Sequence, residues 1–139
     1  AMYFADKAVV VVNPEVSSVR DSDHILGLLA SKTRRAEIGE GEVTAYLLLT
    51  RYSPQRVENG EMLSITDVEE VLGLKTIGVV PESGDVLNAS NKGEPVIMDA
   101  ESNAGQAYDD AVARLLGEQR PMRFTHLEKK GFFSKLFGG

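Results

Sequence analysis

Glu15, Asp21 and Asp23 follow Asn13-Pro14, the pair that closes the apolar run Ala8-Val9-Val10-Val11-Val12. If that run is a strand of an open α/β sheet, its carboxyl end is where such sheets bind ligands, and the acids can meet a polar group there. The same acids suit the start of a helix, where negative charge complements the helix dipole. Arg51 and Pro81-Glu82 sit just past two further apolar runs. They either line the same crevice or begin loops.

A second kind of chemistry, partition into a lipid surface, is written into the end of the chain. From Glu128 onward three lysines stand against one glutamate, so this stretch is +2 within a chain of net charge −6. Three of the five phenylalanines lie there as well. On a helix turning about 100° per residue, with Phe132 at the origin, Leu136, Phe133 and Phe137 follow at roughly 40°, 100° and 140°. Lys130, Gly131, Ser134 and Lys135 take the rest of the wheel, and Lys129 falls inside the apolar arc, from which its ammonium can snorkel. This is the pattern of a helix lying in a membrane interface. A terminal helix docked on its own core has the same spacing. The segment is too short to span a bilayer. Gly131 and the Gly138-Gly139 end make its helicity in water marginal.

Several chemistries find no support. The phosphate cradle G-x-x-x-x-G-K-[ST] is absent from the sequence, Gly39-Glu40-Gly41 being the nearest glycine pair. No G-x-S-x-G elbow occurs. The two histidines, His24 and His126, are far apart, and metal-ligand spacing is missing, so no metal site and no catalytic residue are expected. There is no cysteine, hence no disulfide framework and no thiolate chemistry. The acidic body argues against nucleic acid as the main partner. The chain is therefore not expected to transfer phosphoryl groups unaided.

The elements that must position these residues alternate. Val9 to Val12 reads as a strand buried on both faces. A helix capped by Ser18 or Asp21 and running to about Glu37 follows, with Ile25, Leu28 and Leu29 on one face. Tyr46 to Thr50 is a second strand. Ser64 or Thr66 caps a helix through Leu72, Thr76 to Val80 is a third strand stopped by Pro81, and a short helix spans about Asp85 to Ser90. A long helix is predicted from about Asn103 to Leu116, with Ala107, Ala111, Val112, Leu115 and Leu116 inward. Alternation of this kind implies βαβ crossovers and a parallel sheet. Three strands are few for one, so other polypeptide must cover the first. The opening Ala-Met-Tyr-Phe-Ala-Asp reads like a helix end leading into a strand, which predicts a start inside a domain.

Several segments in order resemble the MinD family of deviant-Walker P-loop ATPases, which determine the bacterial septum site. They are Asn13 to Asp23, Leu47 to Tyr52, Gly60 to Leu63, Gly78 to Ser83, Ala89 to Ile97, Lys129 to Phe132 and Leu136 to Gly139. The resemblance covers essentially the whole chain but only the family's C-terminal half. It implies an α/β fold, part of a P-loop NTPase-like three-layer parallel sheet, with a C-terminal amphipathic helix. It divides the chain into residues 1–118 of the ATPase domain, a linker at 119–127 and a membrane-targeting segment at 128–139. It implies ATP and magnesium for the family, with none expected on this chain alone. It places Glu15, Ser17, Asp21 and Asp23 at the ATP-dependent homodimer face or at contacts with MinC and MinE. Arg51, Pro81 and Glu82 fall near the adenine. Lys129, Lys130, Phe132, Phe133, Lys135, Leu136 and Phe137 become the anchor to an anionic membrane, and the expected location is the inner face of the cell membrane. His24 stands where the family usually has arginine. Two alternatives accompany this: a non-catalytic membrane-tethered interaction module, and a related flagellar-placement or chromosome-partition ATPase.

Overall fold

The computed structural model describes residues 2–127. Strands β1 (Lys7–Val12), β2 (Thr44–Tyr52) and β3 (Thr76–Pro81) form one sheet in that spatial order, with both pairings parallel. Helices α1 (Val16–Ser31) and α2 (Arg34–Glu37) connect β1 to β2, and α3 (Pro54–Glu58) and α4 (Ile65–Leu72) connect β2 to β3. After β3 come α5 (Gly84–Lys92), a 3-10 turn at Val96–Met98, and α6 (Asn103–Leu115).

Successive side chains of a strand point to opposite faces, so the sheet has two cores. Val12, Leu47, Leu49 and Val79 pack with Val19 of α1 and Val68 and Leu72 of α4. Leu48 and Val80 face the other way, against Val96 and the alanines Ala104, Ala107 and Ala111 of α6. That second layer is close-packed. A Cβ on Gly78 would lie 2.6 Å from the Ala111 Cβ and 2.7 Å from Leu48 Cδ1.

Close packing corrects the expected face of α6. Ala107 and Ala111 point inward and Leu115 is half-buried, but Val112 is exposed and Leu116 is 77% exposed. The helix lies too near β3 for large side chains, so Ala104, Gly105 and Ala113 take the buried positions instead. The first helix is corrected too. Neither Ser18 nor Asp21 caps it; Glu15 holds the N-cap position without a side-chain hydrogen bond, and Lys32 ends it. Thr33 then caps a separate turn by accepting from the Ala36 N–H at 3.4 Å. Helix α3 adds to the elements expected from sequence, although Ser53 at its cap and Pro54 in its first turn form a recognised start signal. Of the two candidates for α4, Ser64 is the cap, in a reciprocal box with Asp67.

β1 is not buried on both faces within this chain. Val10 and Val12 face the α1 side, but Val9 is 40% and Val11 58% exposed. An apolar run signals that a strand wants cover, not which polypeptide supplies it.

Residues 119–127, expected as a linker, are tied to the body. The Arg114 guanidinium donates to the carbonyls of Ile77, Arg120 and Pro121. Buried Asp110 accepts from Arg123 Nε at 2.7 Å and from Arg120 Nη1 at 3.2 Å. Burial pushes the Asp110 carboxyl up, but the hydrogen bonds from Arg123 and Arg120 outweigh it and hold the group below the usual carboxylate range. A depressed folded-state pKa gives stability that is complete above the ordinary value of about 3.9 and is lost as pH falls through the folded value. Asp110→Asn is expected to cost about 1–3 kcal/mol at neutral pH, and the penalty should shrink in acid, read from urea melts at several pH values. Gly105→Ala should cost about 1–3 kcal/mol by overpacking. Its Cβ would collide with the carbonyl oxygens of Val96 and Asp99, and a denaturant midpoint equal to wild type would contradict that packing.

Candidate functional site at the carboxyl rim of the sheet

Parallel pairing puts all three strand ends on one rim. Asn13 to Glu15 leave β1, Thr50 to Tyr52 end β2, and Pro81-Glu82 end β3. The rim is cross-linked. The Thr50 hydroxyl donates to Asn13 Oδ1 at 2.9 Å, the Leu63 N–H to the Pro14 carbonyl at 3.0 Å, and the Glu82 N–H to the Tyr52 carbonyl at 2.9 Å.

Arg51 and Glu82 are brought together, with Arg51 Nη2 and Glu82 Oε1 3.7 Å apart and both side chains largely exposed. Pro81 is the register partner of Tyr52 one residue away. Arg51 sits where the β2–β3 pairing is irregular, between Leu49 and Tyr52, and has φ +55°. A non-glycine residue in that region carries strain, and irregular strand ends of this kind concentrate at functional rims because they re-aim a side chain. Nothing in the residue type announces it.

Glu15, Ser17 and Asp21 form a second group. They line one end of a groove of about 790 Å³ between the β1 edge and α1, with Val9, Val11 and Ile25 further along. Asp23 is exposed on α1 but does not line it. The dipole reading holds for Glu15 at the N-cap and weakens for Asp21 and Asp23, which lie beyond the first turn of α1. Arg56, missed from sequence, joins the second group: its Nη2 is 3.9 Å from Glu15 Oε1 and its Nε 3.9 Å from Glu61 Oε2.

The rim combines an apolar residue with an exposed charge pair. Pro81 offers an apolar face, and Arg51 and Glu82 offer a donor and an acceptor. Among the described residues no glycine-rich loop aims successive N–H groups at a common point, and no Gly-Lys-Ser/Thr occurs in the sequence. Among the described residues no group of three or more His, Asp or Glu side chains is placed to hold a metal ion. No helix among them is long and apolar enough to cross a membrane. The expected anchor, Lys129 to Phe137, lies outside the described residues.

A parallel sheet flanked by helices, with its polar groups at one rim, is an α/β fold, and it is the fold of MinD- and ParA-type ATPases. It superposes on MinD in the MinC:MinD complex of Aquifex aeolicus with a TM-score of 0.76 and 38% identity, over 87% of this chain and 47% of that one. Pyrococcus horikoshii MinD, solved with Mg-ADP, shares the fold at a TM-score of 0.60 and 20% identity, over 81% of this chain and 43% of that one. No family model matches the chain. Its sequence nevertheless matches MinD from end to end: it is 63% identical to the septum site-determining protein MinD of Escherichia coli (strain K12) over all 139 residues. Those residues correspond to 52% of that relative, so the chain spans about half the length of the MinD it matches.

Exposed ion pairs contribute about 0–1 kcal/mol, and glycine takes positive φ freely. Arg51→Gly is therefore expected to leave the thermal midpoint unchanged or slightly raised. A large drop would mean that Arg51 holds the fold rather than serving a ligand.

Proposed function

We propose that the chain is the membrane-binding, partner-facing part of a MinD-like ATPase that positions the division septum by recruiting a division inhibitor to the membrane. The observation that carries this is the end-to-end match to E. coli MinD, tail included. Recruitment of a MinC-like inhibitor is supported by the Aquifex relative, whose complex contains MinC. On this reading Glu15, Ser17, Asp21 and Asp23 serve the contact with a second copy or with MinC- and MinE-like partners. Arg51, Pro81 and Glu82 contact the base of ATP. The phosphates and magnesium belong to residues this chain does not carry. Residues 128–139 act as a tether that places the body peripherally on the inner face of the cell membrane.

Magnitudes give the tether its logic. Burying Phe132, Phe133, Leu136 and Phe137 gains at most roughly 1.5–3 kcal/mol each. Three lysines add about 1 kcal/mol each beside an anionic surface. Ordering ten or so residues costs roughly 1–2 kcal/mol apiece. The terms nearly cancel, so one tail is marginal. Two tails on one dimer convert the second insertion to an intramolecular step, with gains on the order of 10²–10⁴. Dimerisation thereby becomes the switch for attachment.

A forced dimer of the chain is expected to co-sediment with phosphatidylglycerol vesicles and the monomer only weakly. Phe133→Asp or Leu136→Glu should abolish that binding, Ser134→Ala should leave it, and added salt should weaken it. Vesicle binding that survives either acidic substitution removes the tail as anchor. By calorimetry with Mg-ATP the chain alone should show no heat of binding, because phosphate contacts supply most nucleotide affinity; micromolar binding would refute this division of labour between base and phosphate contacts.

A further inference from the structure

We infer that a recess at the amino ends of β2 and β3, at the end of the sheet opposite the rim, binds a small phosphate monoester. The recess has a volume of about 410 Å³, within the roughly 300–1,000 Å³ of small-molecule sites. Tyr46, Lys75 and Thr76 wall it on the strand side, and Arg114, Glu118, Arg120 and Met122 wall it at the carboxyl end of α6.

Thr76 carries the first argument. It is 7% exposed, and its Oγ1 is buried with no hydrogen-bond partner among the described residues. Thr76 lies two residues before Gly78, whose missing Cβ faces Ala111 of α6. Strand alternation therefore turns the Thr76 side chain toward the α6 layer and this recess. Buried hydroxyls are almost always paired, so an orphan one calls for a partner from outside the chain.

Charge carries the second. Arg114 donates one N–H each to the carbonyls of Arg120, Ile77 and Pro121. A guanidinium has five N–H groups, and five less three leaves two. Neither Arg114 nor Lys75 forms an ion pair among the described residues. Asp110 feels the Arg114 charge but is hydrogen-bonded to Arg120 and Arg123. Arg120 is taken by Asp109, Asp110 and Glu118, and Glu118 is neutralised in the same contact. Two positive charges thus stay open at one recess of a chain whose net charge is −6. A phosphate monoester brings about −1.5 to −2 at pH 7, where a carboxylate brings one charge. A water would satisfy the Thr76 hydroxyl but neither cation. Arg114, in the last turn of α6, also complements the negative end of that helix, yet Lys75 and Thr76 are not on it. The carbonyls of Val112, Ala113 and Arg114 are already occupied by the N–H groups of Leu116, Glu118 and Gly117. The half-buried Tyr46 ring and Met122 offer apolar walls to the organic part of the ester.

The test is a titration of the isotope-labelled 139-residue chain with phenyl phosphate, inorganic phosphate and benzoate at constant ionic strength, followed by amide NMR. Phenyl phosphate should shift the signals of Thr76, Arg114 and Gly117 and leave those of Arg51 and Glu82, and it should bind more tightly than either of the other two. Lys75→Met should weaken it at least about tenfold, and Lys75→Arg should retain it. Thr76→Val should weaken it comparably while leaving the thermal midpoint of the free chain unchanged or raised, because a hydroxyl without a partner contributes nothing to the fold. Shifts at the rim instead, no shifts, or Lys75→Met binding as wild type does would each overturn the site. A Thr76→Val chain that melts far below wild type or fails to fold would also overturn it, by showing that the hydroxyl is already employed in the fold.

Discussion

β2 is the constraint on which the rest depends. It is paired on both edges and its side chains are buried on both faces, Leu47 and Leu49 to one core and Leu48 to the other. A strand so enclosed has no freedom to slip, because a shift of one residue would exchange the two cores. With β2 fixed and both neighbours parallel to it, every connection must return along the outside of the sheet. The carboxyl ends therefore collect on one rim. Asn13, Arg51 and Pro81, tens of residues apart in sequence, meet because of that geometry and not because of any local signal.

Much of this was legible in the sequence. The runs around Val10, Leu48 and Val79 announced strands, Ser64 or Thr66 announced the start of α4, and α6 was expected over nearly its observed length, with Ala107 and Ala111 among its inward residues. What was not legible depended on distances between elements. How near α6 lies to β3 decides that alanines rather than Val112 and Leu116 are buried, and no periodicity count contains that distance. The Asp110 network draws its arginines from Arg120 and Arg123, a segment that composition alone reads as linker. The break at Thr33 was hidden because the basic cluster around it suits a helix end and a helix interior equally well. Of the site, the residues Arg51, Pro81 and Glu82 were located by position after strands. The positive φ that aims Arg51 and the presence of Arg56 beside Glu15 come from tertiary structure.

The two cores are unequal in a way that bears on stability. The core under α1 and α4 is built of large aliphatic side chains around Val68 and Leu47. The core under α6 rests on alanines and Gly78, and it stops before β1. Hydrophobic stabilisation scales with apolar area removed from water. The α6 side therefore contributes less, and the Asp110, Arg114, Arg120 and Arg123 hydrogen bonds fasten the chain end over it. Polar fastening tolerates a thin core better than it tolerates the loss of one partner, since the remaining charge is then left partly desolvated.

β1 joins these observations. Its inner face belongs to the firm core, its outer edge to the open groove, and its carboxyl end to the rim through the Asn13–Thr50 hydrogen bond. The two layers therefore end at different strands: the α1 side of the sheet is packed out to β1, whereas the α6 side stops at Leu48 of β2 and leaves Val9 and Val11 exposed. β1 keeps its place on half of the usual cover because its ladder with β2, its inner valines and the rim hydrogen bond each hold it independently.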